Sequence, residues 1–141
     1  MTDTAPQAFE QGRSYTRVEV AAVLGGGQRA VFPSRGGKVL GICVAEELNP
    51  RAPAALLAGP GLRHVQAARR LATAGTAVPV FIRRLAGRWE YVGERRVSRV
   101  VDDPLIVGEH AAAAAREGGA VVLLLEGPSP GDAAATAADG G

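Results

Sequence analysis

The sequence predicts a mixed α+β domain, built on a small, strongly bent sheet or β-barrel of five or six strands with three short helices. Three observations lead to this fold class. Short apolar runs alternate between strand-like and helix-like periods, Gly-rich and Pro-rich connections separate them, and the last run, 120–125, is apolar on both faces. A chain of 141 residues with 47% hydrophobic content suits one domain of ordinary size.

The two ends of the chain differ in composition from its body. Residues 1–8 and 128–141 are small, polar or rich in Gly and Pro, and they lack periodic apolar positions. Such segments bury too little apolar surface to offset the entropy lost on ordering. We therefore expect disordered tails over 1–8 and 128–141 and one folded domain over 9–127.

Capping patterns and apolar spacing mark the helices. Thr16 and Glu19 form a capping-box pattern, and Asp103 followed by Pro104 supplies an N-cap and a first-turn proline. A third segment, before Gly75, has apolar residues at helical spacing. Helices are thus predicted over 17–24, 62–74 and from 104 to about 116.

Apolar runs between turn residues mark the strands. They are predicted over 30–32, 38–44, 78–82, 88–93, 97–101 and 120–125. The spacing around Leu85-Ala86-Gly87 suits a hairpin, and the doubly apolar last run suits a central, buried strand. Three prolines argue against a regular element over 46–61.

Composition excludes several functional classes. The net charge is only +2, so any basic surface must come from the distribution of charges. The sequence has no long apolar run and no signal-peptide pattern, which indicates a cytoplasmic protein without a membrane segment. One cysteine, two histidines and no Cys-x-x-C spacing predict no disulfide, no metal and no cofactor.

No catalytic constellation is visible in the sequence. Cys43 lies in an apolar strand, and His64 and His110 fall on separate helices without a motif that links them. Asp102 and Asp103 precede a helix, where capping is the simpler interpretation. We expect a protein without catalytic activity, with a thiol enzyme using Cys43 and His110 as the least favoured alternative.

The glycine run 25–27 follows a helix and lacks the Lys-Ser/Thr ending of a phosphate-binding loop. A nucleotide site there is improbable. The run lets the backbone approach a ligand closely and presents Gln28 and Arg29, although a plain connection is an equally good interpretation.

The most informative stretch, residues 83–99, is basic and contains no lysine. Its arginines face two acidic residues, Glu90 and Glu94, which leaves a local charge of +4. Guanidinium groups bind phosphates bidentately and stack on bases, so the cluster favours a polyanion, while a solvated surface remains the alternative. The cluster consists of Arg83, Arg84, Arg88, Arg95, Arg96 and Arg99.

Two aromatic residues lie within this stretch. Trp89 and Tyr91 are two apart on a predicted strand, so their side chains share one face. Either they pack in the core or they wall a slot for a planar ligand, and the sequence leaves both interpretations open.

The order of short motifs resembles that of SRA-like domains of the PUA superfamily, which accompany HNH nuclease domains in modification-dependent restriction enzymes. The resemblance covers about 9–127. It is carried by Phe9, Tyr15-Thr16-Arg17, Gly25-Gly26 with Gln28, Trp89-x-Tyr91-x-Gly93, Asp103-Pro104 with His110, and Val122 to Glu126. Residues 46–75 have no counterpart in these domains and would be an insertion able to cover or enlarge a pocket.

The resemblance implies a curved barrel that reads modified DNA by flipping one base into an aromatic pocket. Trp89, Tyr91 and Tyr15 would form the base pocket. The nucleic-acid contacts would come from Arg83, Arg84, Arg88, Arg95, Arg96, Gln28 and Arg17. The sequence has no nuclease motif, so cleavage would need a separate nuclease partner. The alternative function is a sensory module that binds a small molecule or a protein through the same pocket.

Overall fold

A computed structural model describes residues 9–116 and 118–127. The tails predicted over 1–8 and 128–141 lie outside the described residues. Within the described ranges the chain forms three α-helices, α1–α3, one 3₁₀ helix and eight strands, β1–β8. In chain order these are β1 (Ser14–Tyr15), α1 (Arg17–Leu24), β2 (Ser34–Arg35), β3 (Lys38–Val39), β4 (Ile42–Ala45), the 3₁₀ helix (Glu46–Leu48), β5 (Ala55–Ala58), α2 (Leu62–Ala74), β6 (Val78–Leu85), β7 (Arg88–Val101), α3 (Pro104–Ala113) and β8 (Val121–Glu126).

Six strands form a mixed sheet in the order β4-β6-β7-β8-β5, with β1 pairing to β7 off this path. Only β4 and β6 run parallel, and β2 and β3 form a separate two-stranded sheet. The α+β class and the six strands confirm the prediction. No backbone ladder joins β4 to β5 in the described part of the chain.

Strand β7, with 14 residues, is the longest strand of the sheet. The hairpin predicted around Leu85-Ala86-Gly87 is present, but the separate strand predicted over 97–101 is wrong, because β7 continues through it. The first part of β7 pairs with β6 and the second part with β8, with register shifts in both pairings. Such irregularities bend a strand, which lets one strand serve both halves of the sheet.

The helix predictions are confirmed. Thr16 Oγ1 accepts from the Glu19 amide at 3.1 Å, and Glu19 Oε1 accepts from the Thr16 amide at 2.8 Å, so both bonds of the capping box are present. The second helix has the predicted bounds. The third begins after the Asp103 cap, as expected, but ends at Ala113 rather than near 116.

The expectation of no regular element over 46–61 is wrong. This segment contains the 3₁₀ helix and β5, whose four residues are all buried. Strand β5 pairs antiparallel with β8, which makes β8 an interior strand as predicted. Its partner lies more than sixty residues away in the sequence, a separation that local pattern reasoning does not register.

The two strands predicted over 30–32 and 38–44 are also corrected. Residues 30–32 form no strand, and the second stretch is split into β3 and β4. At the split, a Cβ on Gly41 would lie 2.9 Å from Leu24 Cδ1 and 3.2 Å from the Pro79 carbonyl oxygen. A larger residue at this position would therefore require the end of the Leu24 side chain and the Pro79 carbonyl to shift.

Apolar side chains cover both faces of the sheet. One face packs against α2 and includes Ile42, Val80 and Leu123, all fully buried. The other face packs against α1 and the N-terminal segment through Phe81 and its neighbours. None of the helices in the described ranges has the length and apolar character that a membrane crossing requires.

Candidate functional site

The pairing of β6 with β7 places the two candidate aromatic residues in neighbouring rows of one sheet face. Arg83 is opposite Trp89 in one row, and Phe81 is opposite Tyr91 in the next. Strand β1 extends the first row, because Tyr15 is opposite Trp89. The prediction that Trp89 and Tyr91 share a face is therefore confirmed, but the two rows have different surroundings.

The Tyr91 row is sealed by what we call the aromatic cluster, formed by Phe9, Tyr15, Phe81 and Tyr91. Tyr91 is only 6% exposed, and its ring centroid lies 5.4 Å from that of Phe81 and 5.5 Å from that of Phe9. Its hydroxyl donates to Glu94 at 3.1 Å, and burial raises its pKa. Tyr91 is thus a core residue. The expectation that it lines the pocket is wrong.

Tyr15 has a similar place. Its ring packs edge-on against Phe9 at 5.1 Å, and its hydroxyl accepts from the Glu10 backbone amide at 2.8 Å. It anchors the N-terminal segment over the sheet and does not line the neighbouring cavity.

The Trp89 row opens into a cavity of about 330 Å³, which we call the Trp89 cavity. Its lining includes residues of β4 and β5, the first and last strands in the order of the sheet. Helix α1 and the loop after it complete this part of the lining. Its polar side chains come from Arg17, Gln28, Arg29, Asn49, His64, Arg83 and Arg116. Four of these are arginines, and no carboxylate lines the cavity within the described ranges, so the cavity suits an anionic or electron-rich planar ligand.

Arg17 joins the indole of Trp89 to the loop after α1. Its guanidinium carbon lies 5.0 Å from the Trp89 ring centroid, and its Nη2 donates to the carbonyl oxygens of Gly27 (2.9 Å) and Ala30 (3.0 Å). Its Nε is buried without a hydrogen-bond partner in the described structure. Arg17 was predicted as a nucleic-acid contact, and the structure shows it positioning the loop that carries Gln28.

The glycines of that loop serve close packing. Gly26 has a φ of +80°, and a Cβ there would lie 3.0 Å from both Pro33 Cβ and the Ser34 amide nitrogen. The loop therefore lies tightly on the segment that follows it, with Gln28 and Arg29 exposed at the rim of the Trp89 cavity.

The segment read as an insertion forms one wall of the cavity. Asn49, which is 7% exposed, and Arg116 hold this wall together. The Arg116 guanidinium donates to the carbonyl oxygens of Leu48 (3.1 Å), Leu57 (2.8 Å) and Gly59 (2.8 Å). Burial lowers the pKa of Arg116, and no carboxylate of the described residues pairs with it.

Three of the six arginines of the basic stretch form ion pairs. Arg83 Nη2 lies 2.7 Å from Glu47 Oε2, Arg84 Nε lies 3.0 Å from Glu46 Oε2, and Arg84 also pairs with Glu90. Arg96 pairs with Glu126 at 3.4 Å. Six arginines then face five carboxylates, which reduces the local charge from +4 to +1.

Of the predicted nucleic-acid contacts, the structure brings three into the Trp89 cavity: Arg17, Gln28 and Arg83. The others, Arg84, Arg88, Arg95 and Arg96, do not line it. Arg88 is exposed at the start of β7, and Arg95 is half-buried with its Nε unpartnered among the described residues. The predicted phosphate contacts thus do not form one surface around the pocket.

Cys43 and His110 have separate surroundings. Burial raises the pKa of the Cys43 thiol to about 11, so it is protonated at neutral pH, opposite to what a nucleophile needs. His110 Nε2 lies 3.2 Å from Arg51 Nη1, and burial, followed by Arg51, lowers its pKa. No group of three or more His, Cys, Asp or Glu side chains in residues 9–116 and 118–127 is placed to bind a metal.

Sequence reasoning missed Asn49, His64 and Arg116 as cavity residues, and it missed the arginines of α2. One signal was available for the last of these: residues 62–74 contain three arginines, one histidine and no acidic residue. Comparisons of the chain with protein-family models, curated proteins and solved structures find no match.

Proposed function

We propose that this chain is a non-catalytic nucleic-acid-binding module that recognises a modified base in DNA by taking it into the Trp89 cavity. The observation that carries the proposal is an indole at the wall of a cavity lined by four arginines and, in the described ranges, by no carboxylate. The proposal includes the resemblance to SRA-like domains, a cytoplasmic location and a separate nuclease wherever cleavage follows.

The energetics of base flipping set what the cavity must supply. Extruding a base costs a few kcal/mol, and stacking on an aromatic ring returns about 1–3 kcal/mol. Arg17 and Arg83 both lie over the Trp89 ring, at 5.0 and 5.7 Å from its centroid, so a base that stacks there must displace a guanidinium. Hydrogen bonds from cavity groups and phosphate contacts must therefore provide the net affinity. Gln28, exposed at the rim, is suited to fill the place that the base leaves in the duplex.

The proposal also treats the sheet as a barrel closed by a side chain instead of a backbone ladder. Strands β4 and β5 end the strand path, yet both line the Trp89 cavity. Asn49 bridges them, because its Nδ2 donates to the Ala45 carbonyl at 3.4 Å and its Oδ1 accepts from the Leu57 amide at 2.8 Å. This bridge supports a barrel-like closure around the bound base.

The test is a titration of labelled duplexes that differ only in one modified base, with C5-methylcytosine, C5-hydroxymethylcytosine and N6-methyladenine as the panel. The wild-type protein should prefer at least one modified duplex. Trp89→Ala should lose the stacking contribution, roughly 5- to 150-fold in affinity for that duplex, and most of the preference. Trp89→Phe should keep part of both.

Arg88→Ala is the matched control, because Arg88 is exposed on the same hairpin and does not line the cavity. It should keep the preference for the modified duplex. Equal affinity of the wild-type protein for all duplexes would remove base recognition, and a Trp89→Ala protein with unchanged preference would remove the pocket.

A second candidate function is binding of a small planar molecule without nucleic acid. The observation that favours it is the size of the Trp89 cavity, since ligand sites commonly measure about 300–1,000 Å³. Trp89 is the only tryptophan, so its fluorescence reports on this cavity. Quenching by free nucleosides or other planar molecules, with no response to any duplex, would favour this candidate.

A further inference from the structure

A second cavity lies beside the Trp89 cavity, between α2 and the loop after α1. It measures about 550 Å³, and Phe32, Arg63 and Arg70 contribute to its lining. Val31 and His64 line both cavities, and the His64 ring packs edge-on against Phe32 at 5.9 Å. The second cavity, which we call the α2 groove, therefore adjoins the Trp89 cavity along one surface.

The charge of the α2 groove is not compensated. Helix α2 contains no acidic residue, and of its arginines only Arg69 pairs with a carboxylate, that of Asp102 at 3.4 Å. Arg63, Arg70 and Arg29 are exposed, and none of them pairs with a carboxylate in the described part of the chain. Each of these three unpaired arginines lines one of the two cavities, whereas the arginines of the hairpin that are unpaired in the described ranges, Arg88, Arg95 and Arg99, line neither.

The spacing of the two helical arginines suits a nucleic-acid strand. Arg63 and Arg70 are seven residues apart, which places them on one face of α2 about 10 Å apart along the helix axis. One strand of B-form DNA carries about three phosphates over this length. A basic helix face next to a base pocket thus offers a path for the backbone of the strand whose base is extruded.

We propose that the phosphodiester backbone of the recognised strand lies along the α2 groove, on Arg63 and Arg70, with Arg29 where the groove meets the Trp89 cavity. This inference rests on the proposed function. It assigns the phosphate contacts to α2 and the loop after α1, and it removes them from the ion-paired arginines of the hairpin.

The test compares two double variants over a series of salt concentrations, with the modified and the unmodified duplex. Arg63→Ala with Arg70→Ala should reduce the slope of log affinity against log salt by about 2 and weaken both duplexes alike. Arg84→Ala with Arg96→Ala removes two charges of the hairpin and should leave the slope nearly unchanged. Thermal unfolding of both variants checks that the fold is kept.

The outcomes separate the two proposals. A wild-type protein that prefers the modified duplex, with an unchanged slope in the α2 variant, overturns the α2 groove and keeps the proposed function. A wild-type protein without any preference for modification overturns the proposed function, whatever the slopes are. Binding to vesicles of anionic phospholipid without binding to any duplex would overturn both.

Discussion

Asn49→Ala tests whether a single side chain holds the two ends of the sheet together. Among the described residues, Asn49 is the only buried polar or charged residue, and its side chain is hydrogen-bonded to both β4 and β5. The substitution removes the 2.8 Å bond from the Leu57 amide and the longer bond to the Ala45 carbonyl. It leaves the buried Leu57 N–H without a partner, and an unsatisfied buried donor costs about 1–3 kcal/mol.

The longer bond adds little, so we expect a loss of about 2–3 kcal/mol in the free energy of unfolding, measured by urea denaturation. Since Cys43 lies two residues before Ala45 and lines the Trp89 cavity, alkylation of its thiol should also become faster. Gln66→Ala, an amide removed from an exposed helix position, is the control and should change stability by less than about 0.5 kcal/mol. Stability and alkylation rate both unchanged in Asn49→Ala would refute the bridge.

Two further predictions concern titration and capping. Because burial raises the pKa of Cys43 from 9.0 to about 11, the folded state keeps a proton that the unfolded state loses, so stability is complete below pH 9 and falls between pH 9 and 11. Urea midpoints over this range should fall by the equivalent of about 2–3 kcal/mol in the free energy of unfolding. Cys43→Ala should keep its stability up to about pH 10, above which Tyr91, whose pKa is also raised, contributes a loss in both proteins. Thr16→Ala removes the capping bond to the Glu19 amide and should cost about 1 kcal/mol, whereas Thr16→Ser should cost much less; equal losses in the two variants would contradict the capping role.

Local signals predicted the helices and the hairpin well, because those elements are specified by neighbouring residues. The capping box at Thr16 and the Asp103-Pro104 pair act within four residues, and the structure contains both caps. Strand β5 was missed for the opposite reason. Its residues Ala55–Ala58 are buried on both faces and show no alternation, and its partner β8 is distant in sequence.

The site was predicted in part. Trp89 and Tyr91 do share a face, since alternation along a strand is a local property. They lie in neighbouring rows of that face, and the side chains that cover each row decide which of the two is accessible. Phe9 and α1 cover the Tyr91 row, and neither contact can be read from the spacing of the two aromatic residues. The row nearer the hairpin turn is left to the Trp89 cavity.

The arginine cluster shows why a charge count along the sequence misplaces a binding surface. Glu46 and Glu47 lie more than thirty residues before the arginines they neutralise, in a segment for which no regular structure was expected. The 3₁₀ helix brings these carboxylates beside the end of β6, and each exposed ion pair is worth little to stability, about 0–1 kcal/mol. Their consequence is electrostatic. A phosphate approaching Arg83 or Arg84 must compete with a carboxylate, whereas Arg63 and Arg70 form no ion pair among the described residues. Arg63 and Arg70 are also exposed, whereas Arg17 and Arg116 of the Trp89 cavity are half-buried and bonded to carbonyl oxygens. The α2 groove is therefore the more accessible anion-attracting surface beside the Trp89 cavity.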